Sequence, residues 1–256
     1  MSDFFGFGGY QRPIEGYLSW QHLTFVSVLT AIMIGLAVFL GRNNRNRSER
    51  EKNRVLVAAA LLMDAVEIFK IVVISIRDQD PMHWLNELPL FLCSIQLITL
   101  PIAAFSKGKL RIAALDFICI FGLLGAILGN YLAGNIYAYY PVISVDTVAS
   151  GITHSISGFA ALYIFISGMA SMEKKNMVNT FLILGCFGIA AYIADITLDC
   201  NYMFLMQGDG TPYDILYNLV GGNPVLYPIG VMVLFAIYIT GFYGIYQLIQ
   251  NKRKTA

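Results

Sequence analysis

Seven apolar segments, each close to the length that carries an α-helix across a hydrocarbon core, leave this chain few folds to choose from. They cover residues 23–40, 55–76, 88–105, 110–133, 151–170, 178–200 and 225–249, each bounded by charge, Pro, Gly or Asn. In lipid every backbone polar group must find its partner inside the protein, so segments of this kind cross as helices. The sequence therefore predicts an all-α polytopic membrane protein, a seven-transmembrane-helix bundle forming one integral membrane domain over residues 1–256. Charged residues make up only 13% of the chain, against about a quarter in a soluble domain. That excludes a disordered chain, a nucleic-acid partner and an ordinary cytosolic enzyme. Four Cys without paired spacing give neither a disulfide framework nor a zinc signature. No metal and no cofactor is expected; the partners expected are membrane lipids, with a lipid or small molecule as substrate.

The charges predict orientation. Of the 17 Lys and Arg, 14 fall in the connection after the first segment, the connections after the third and fifth, and the C-terminal tail that holds Lys252, Arg253 and Lys254. Arg12 and Arg77 lie on the other side, and Lys70 lies inside a segment. Asp78, Asp80, Glu87, Asp146, Asp209 and Asp214 fall opposite the basic loops. The positive-inside rule then predicts a multi-pass protein of the cell membrane, N-terminus out and C-terminus in. The N-terminus lacks a basic n-region and a strongly basic loop follows the first segment, so a retained first helix is expected.

Ionisable groups inside membrane segments are costly and usually face a bundle interior. Asp64, Glu67 and Lys70 share one face of the second segment, and Glu67 with Lys70 at i, i+3 suits an ion pair. The third opens Asn86-Glu87-Leu88-Pro89, with Cys93 about a turn in and Gln96 on the same face. A thiol near a helix N-terminus is favoured as thiolate, although a free Cys is more often a small buried hydrophobe. Pro101 predicts a kink. Gly125 and Gly129 allow close helix approach. His154 opens the fifth segment and could serve as base, donor or ligand, or be a satisfied hydrogen-bonder. Asp195 and Asp199 close the sixth, and Asn201 follows. Thr211-Pro212-Tyr213-Asp214 reads as the start of a short helix. His22, His83, Cys93, Asn130, His154, Asp195, Asp199 and Asn201 map to the outer third, so a functional cavity is expected to open outward. Cys119, Cys186 and Cys200 read as buried packing or interface residues.

These residues resemble a known family. Leu88-Pro89-Leu90-Phe91-Leu92-Cys93-Ser94-Ile95 is similar to the "LPLHLC" segment of YwaF-type bacterial integral membrane proteins. Trp20-Gln21-His22-Leu23 resembles their "xxHL", Glu67 their second-helix glutamate, and Thr153-His154-Ser155 their "SHG". Asn201-Tyr202-Met203-Phe204-Leu205 matches "NYMFL", and Gly222-Asn223-Pro224-Val225-Leu226-Tyr227 resembles "GPWPWY". The matches run in order from residue 20 to 230. Phe91 departs from the family's His, and Asn223 from its Trp. The bacterial family is similar to the eukaryotic family of transmembrane protein 164, described as a phospholipid acyltransferase that uses a membrane-embedded cysteine.

Carried over, the resemblance implies Cys93 as nucleophile and His154 as general base and acid. Gln96, Asn130 or Asn201 would donate to an oxyanion, Asp195 would orient His154, and Glu67, Lys70 and His22 would complete the polar cluster. The function expected is a lipid acyltransferase or acyl-hydrolase. The alternative is a non-enzymatic small-molecule binding or transport subunit with a polar cavity around Glu67 and Lys70. A seven-helix retinal protein is excluded, because the last segment carries no Lys for a Schiff base.

Overall fold

The computed structural model describes residues 2–255; the side chains of Arg253 and Lys254 in the basic tail lie outside the described residues. The described chain is helical throughout and has no strand. In order the helices are α1 (Ser2–Phe5), α2 (Trp20–Asn44), α3 (Glu49–Arg77), α4 (Gln96–Phe105), α5 (Gly108–Phe117), α6 (Leu123–Tyr131), α7 (Gly134–Tyr139), α8 (Val145–Ser167), α9 (Met177–Leu198), α10 (Tyr213–Leu219) and α11 (Leu226–Thr255). Among the described residues, five helical runs are long and apolar enough to cross a membrane: α2, the run from α5 through α7, α8, α9 with the turn before it, and α11. α3 is as long as these but carries Asp64, Glu67 and Lys70 in its middle.

Local chemistry sets the helix ends. Ser48 with Glu51 closes a capping box at the start of α3, and Ser144 with Thr147 closes one at the start of α8. Gly168, in the left-handed region at φ 77°, ends α8 and releases the chain. Between α5 and α6 the rod does not break. It widens into a π turn at Ile118–Gly122, all five residues buried. The carbonyls freed there are taken from outside the helix: Tyr238 Oη donates to Ile120 O at 3.3 Å and Ser157 Oγ to Gly122 O at 3.3 Å.

α8 is the central helix, packed on α2, α3 and α6. Its small residues allow that. A Cβ on Gly158 would run into Ala126 of α6 and Met33 of α2. The run α5–α7 is the most enclosed of the five apolar runs at 67% buried, whereas α2, α9 and α11 are 17%, 28% and 22% buried and lie outermost.

One predicted segment is corrected. Residues 88–105 do not form a single helix: Leu88–Ile95 is a turn, and helix begins only at Gln96. Pro89 is the cause. It holds Leu88 extended at φ −59°, ψ 142°, and it brings no N–H to a first turn. Pro101 lies inside the short helix that follows. Cys93 therefore precedes α4 instead of sitting a turn inside a helix.

Of the other cysteines, Cys119 is buried, Cys200 is half-buried and Cys186 is exposed on α9. α10 starts one residue after Pro212, with Ile215 and Leu219 left 76% and 80% exposed.

Candidate functional site

The irregular backbone at Leu88–Ile95 is the starting point, because partly buried non-helical chain needs partners for its polar groups and leaves space between the helices. A cavity of about 150 Å³ is walled by Met63, Glu67 and Lys70 of α3, by Asn86 to Leu88, Phe91, Cys93 and Ser94 of the turn, by Leu97 of α4, and by Ser150, Thr153 and His154 of α8.

The turn is held by partners outside itself. Tyr202 Oη donates to Leu85 O at 2.8 Å and accepts from Leu88 N–H at 3.2 Å. Burial pushes the Tyr202 phenol up to about 12, so it remains a donor at neutral pH. Tyr202 is itself fixed by Asp195, whose carboxylate accepts its backbone N–H at 2.6 Å. Phe91 lies edge-on to the Tyr202 ring at 5.0 Å, with the Phe204 ring 6.1 Å away. The "NYMFL" and "LP-x-x-x-C" stretches, with Leu88 and Tyr202 114 residues apart, thus form one packed unit. Within the turn, Ser94 Oγ accepts from Phe91 N–H at 3.0 Å and donates to Phe91 O at 3.1 Å.

His154 reaches the cavity from the third turn of α8. Its Nδ1 lies 2.7 Å from Ser150 O and 3.3 Å from Ser150 Oγ. A carbonyl only accepts, so Nδ1 carries the proton, and in the neutral ring Nε2 keeps its lone pair. The Cys93 thiol lines the same cavity as this imidazole. The nitrogen left to accept from a thiol is Nε2.

Two glycines of α6 make room for the pair. A Cβ on Gly125 would come within 3.2 Å of Cys93 Cβ, and one on Gly129 within 2.6 Å of His154 Cγ and closer still to Cδ2 and Nε2. The spacing that reads as a helix-packing motif is here the floor on which thiol and imidazole rest.

Across the cavity runs a chain of ion pairs. Lys70 Nζ lies 2.7 Å from Glu67 and 2.9 Å from Glu87, and Glu87 faces His83 at 3.4 Å. Glu67 and Lys70 share the cavity with Cys93 and His154, so the enzymatic and the binding alternatives raised by the sequence refer to one place.

The remaining sequence candidates lie elsewhere. His22 is fully buried: Nδ1 accepts from Leu18 N–H at 3.1 Å, Nε2 donates to Asn130 O at 3.0 Å, and the ring packs on Tyr137 at 3.9 Å. Asn130 donates to Ser155 Oγ at 3.3 Å. Asn201 folds its own loop, accepting from Met206 and Gln207 and donating to Gln207 O. Gln96 accepts from Thr99 Oγ1, and its Nε2 is buried without a partner. None of these lines the cavity, nor does Asp195 or Asp64. The group on His154 Nδ1 is the Ser150 carbonyl, so Asp195 supports Tyr202 instead of orienting the imidazole.

Sequence reasoning did not assign Glu87, Asn86, Ser150 or Thr153 to the site. Glu87 was identifiable as a carboxylate next to the helix-breaking Leu88-Pro89. Ser150 acts through its carbonyl, which no residue type announces.

A family model described as the TMEM164 family matches residues 17–246, which include every cavity residue. No curated protein matches the chain, and no solved structure does. With nine-tenths of its length covered by that match, cavity and surrounding helices included, the chain belongs to the TMEM164 family.

Proposed function

We propose that this protein is a cysteine-dependent lipid acyltransferase or acyl-hydrolase, with Cys93 as nucleophile and His154 as base and acid. The observation that carries the reading is a single cavity lined by both a thiol and an imidazole, the latter with Nδ1 fixed by the Ser150 carbonyl. The resemblance set out in the sequence analysis implies the same chemistry.

In the first half-reaction the Cys93 sulfur attacks a lipid ester carbonyl while His154 Nε2 takes the thiol proton. The ester C–O bond breaks, His154 returns the proton to the departing alkoxide, and the acyl group remains on sulfur as a thioester. In the second, a lysolipid hydroxyl or water attacks the thioester, His154 takes its proton, the C–S bond breaks, and the thiol re-forms. Charge developing on the carbonyl oxygen needs donors. Among the other side chains lining the cavity, Lys70 and Asn86 carry N–H groups, and they take the place of Gln96, Asn130 and Asn201 in that role.

The same reading places the protein in the cell membrane with seven crossings, N-terminus out and C-terminus in. α3 adds one crossing to the five apolar runs, and the Leu88–Ile95 turn with α4 adds the last. The basic residues between α2 and α3 and in the tail then face the cytoplasm.

The test is intact-protein mass spectrometry of vesicle-reconstituted protein. An acyl adduct is expected on the wild type, lost on hydroxylamine treatment, and missing from Cys93→Ala. Acyl exchange that persists in Cys93→Ala would falsify the assignment. A pure binding protein, favoured by the Glu67–Lys70–Glu87 chain, would instead retain ligand in Cys93→Ala and lose it in Lys70→Met.

A further inference from the structure

The N-terminal segment is bound across the end of the α3–α8 seam, further along the two helices than the cavity. Arg77 at the end of α3 makes a two-pronged pair with Asp146 in the first turn of α8, at 2.8 and 3.1 Å. Tyr10 donates its hydroxyl to the same carboxylate and accepts from Arg77 at 3.2 Å. The guanidinium lies 5.9 Å from the Tyr10 ring centre and 5.7 Å from that of Tyr140. Two charged side chains at helix ends are thereby only 8% and 5% exposed. The rest of the segment is tied to the same rim: Glu15 accepts from Val142 N–H at 2.8 Å, Arg12 donates to Ile143 O and pairs with Asp3, and Phe5 meets Phe69 of α3 at 6.4 Å.

Register places this clamp above the reacting groups. Asp146, Ser150 and His154 follow at i, i+4 and i+8 on α8, so the carboxylate lies about 12 Å along the axis from the imidazole. Arg77 lies seven residues, about 10 Å, beyond Lys70 on α3. The clamp and the reacting groups therefore lie along one α3–α8 seam, with Val73 and Ile74 of α3 buried between Lys70 and Arg77.

We propose that Tyr10 is a specificity-determining residue: it plugs this seam against water and so commits the Cys93 thioester to a lipid hydroxyl. The proposal rests on the acyl-transfer reading above. Water and a lysolipid hydroxyl use the same step, in which oxygen bonds to the acyl carbon, the proton goes to His154 and the C–S bond breaks. Which product forms is set by which hydroxyl reaches the carbon. A closed seam leaves the lipid hydroxyl as the nearer nucleophile.

The experiment uses the full chain in phosphatidylcholine vesicles containing lysophosphatidylcholine, in a Cys186→Ser, Cys200→Ser background that leaves Cys93 and the buried Cys119. A positively charged methanethiosulfonate reports access to Cys93, and chromatography separates free fatty acid from acylated lysolipid. Removing a hydrogen bond to a charged group shifts an opening equilibrium about tenfold or more, so Tyr10→Ala is expected to speed Cys93 modification by about that factor and to raise the ratio of free acid to transferred acyl. Tyr10→Phe keeps the ring and is expected to fall between. Tyr17→Phe, which loses a bond to Tyr131 O instead, is expected to match the parent. Unchanged Cys93 modification in Tyr10→Ala, with thermal unfolding intact, overturns the plug. Faster modification with an unchanged product ratio overturns its control of the acyl acceptor. A parent that forms no acyl product removes the catalytic reading instead, and the modification rates still decide whether Tyr10 shields Cys93.

Discussion

Substituting Gly129 by Ala changes neither the thiol nor the imidazole, yet it should remove most of the acyl chemistry. The added Cβ would lie 2.6 Å from His154 Cγ and nearer to Cδ2 and Nε2. Carbon atoms settle about 3.5–4.0 Å apart, so the ring must move by about 1 Å or turn out of the cavity. Its Nδ1 is held on the Ser150 carbonyl of its own helix, so the shift falls on Nε2, the end that would receive the thiol proton. A misplacement of about 1 Å can cost on the order of a hundredfold in rate. Stability should change far less. Ala gains about 1 kcal/mol over Gly in a helix interior, against about 1–3 kcal/mol for overpacking.

The assay compares thioester formation and thermal unfolding for Gly129→Ala, Gly125→Ala and Gly185→Ala. Gly125→Ala brings a Cβ only to 3.2 Å of Cys93 and should lose less activity. Gly185→Ala meets nothing within 4 Å and should keep full activity. Thioester formation in Gly129→Ala at the wild-type rate would show that the imidazole does not have to sit where the structure holds it.

Two further outcomes follow from the loops around the site. Tyr202→Phe strands the Leu85 carbonyl and the Leu88 N–H; it should destabilise the protein by about 1–3 kcal/mol and change the alkylation rate of Cys93, as read by urea unfolding and iodoacetamide labelling. The Tyr10 phenol is raised above its ordinary value of 10.0 by burial first and by Asp146 second. The native state then holds this proton more tightly than the unfolded chain, so its stabilisation is complete below that pH and is lost as pH rises through the folded value. The fall in melting temperature between pH 8 and 11 should accordingly be smaller in Tyr10→Phe than in the wild type, and an equal fall would contradict the clamp.

The sequence was most legible where hydropathy alone decides. The apolar segments that became α2, the α5–α7 run, α8, α9 and α11 are continuous, and nothing in them competes with helix. It was misleading at 88–105, where composition says span but Pro89 fixes Leu88 extended and a phenol 114 residues away takes the Leu88 N–H. Depth along the helices pointed to one end of the bundle but not to one cavity. His22, Asn130 and Asn201 share that end with Cys93, yet their hydrogen bonds go to Asn130 O, to Ser155 and to the 201–207 loop, and none of them lines the cavity. Depth fixes one coordinate of a side chain; the azimuth that brings Glu67, Lys70 and His154 together depends on how helices rotate against each other. That rotation is set by small residues such as Gly129 and Gly158, whose contribution is the space they leave.

The break at Pro89 and the cavity therefore explain one another. A continuous helix from residue 88 would bond its own backbone, and its side chains would radiate around the axis. Unwinding it frees the segment to fold back between α3 and α8 and to present Glu87, Phe91, Cys93 and Ser94 to one volume. That costs backbone hydrogen bonds, which Tyr202 and Ser94 partly restore, and it is tolerable only because the surrounding helices exclude lipid. A Pro89→Ala chain that re-formed helix through 88–95 should keep its helical content and lose Cys93 from the cavity, separating the requirement for a fold from the requirement for a site.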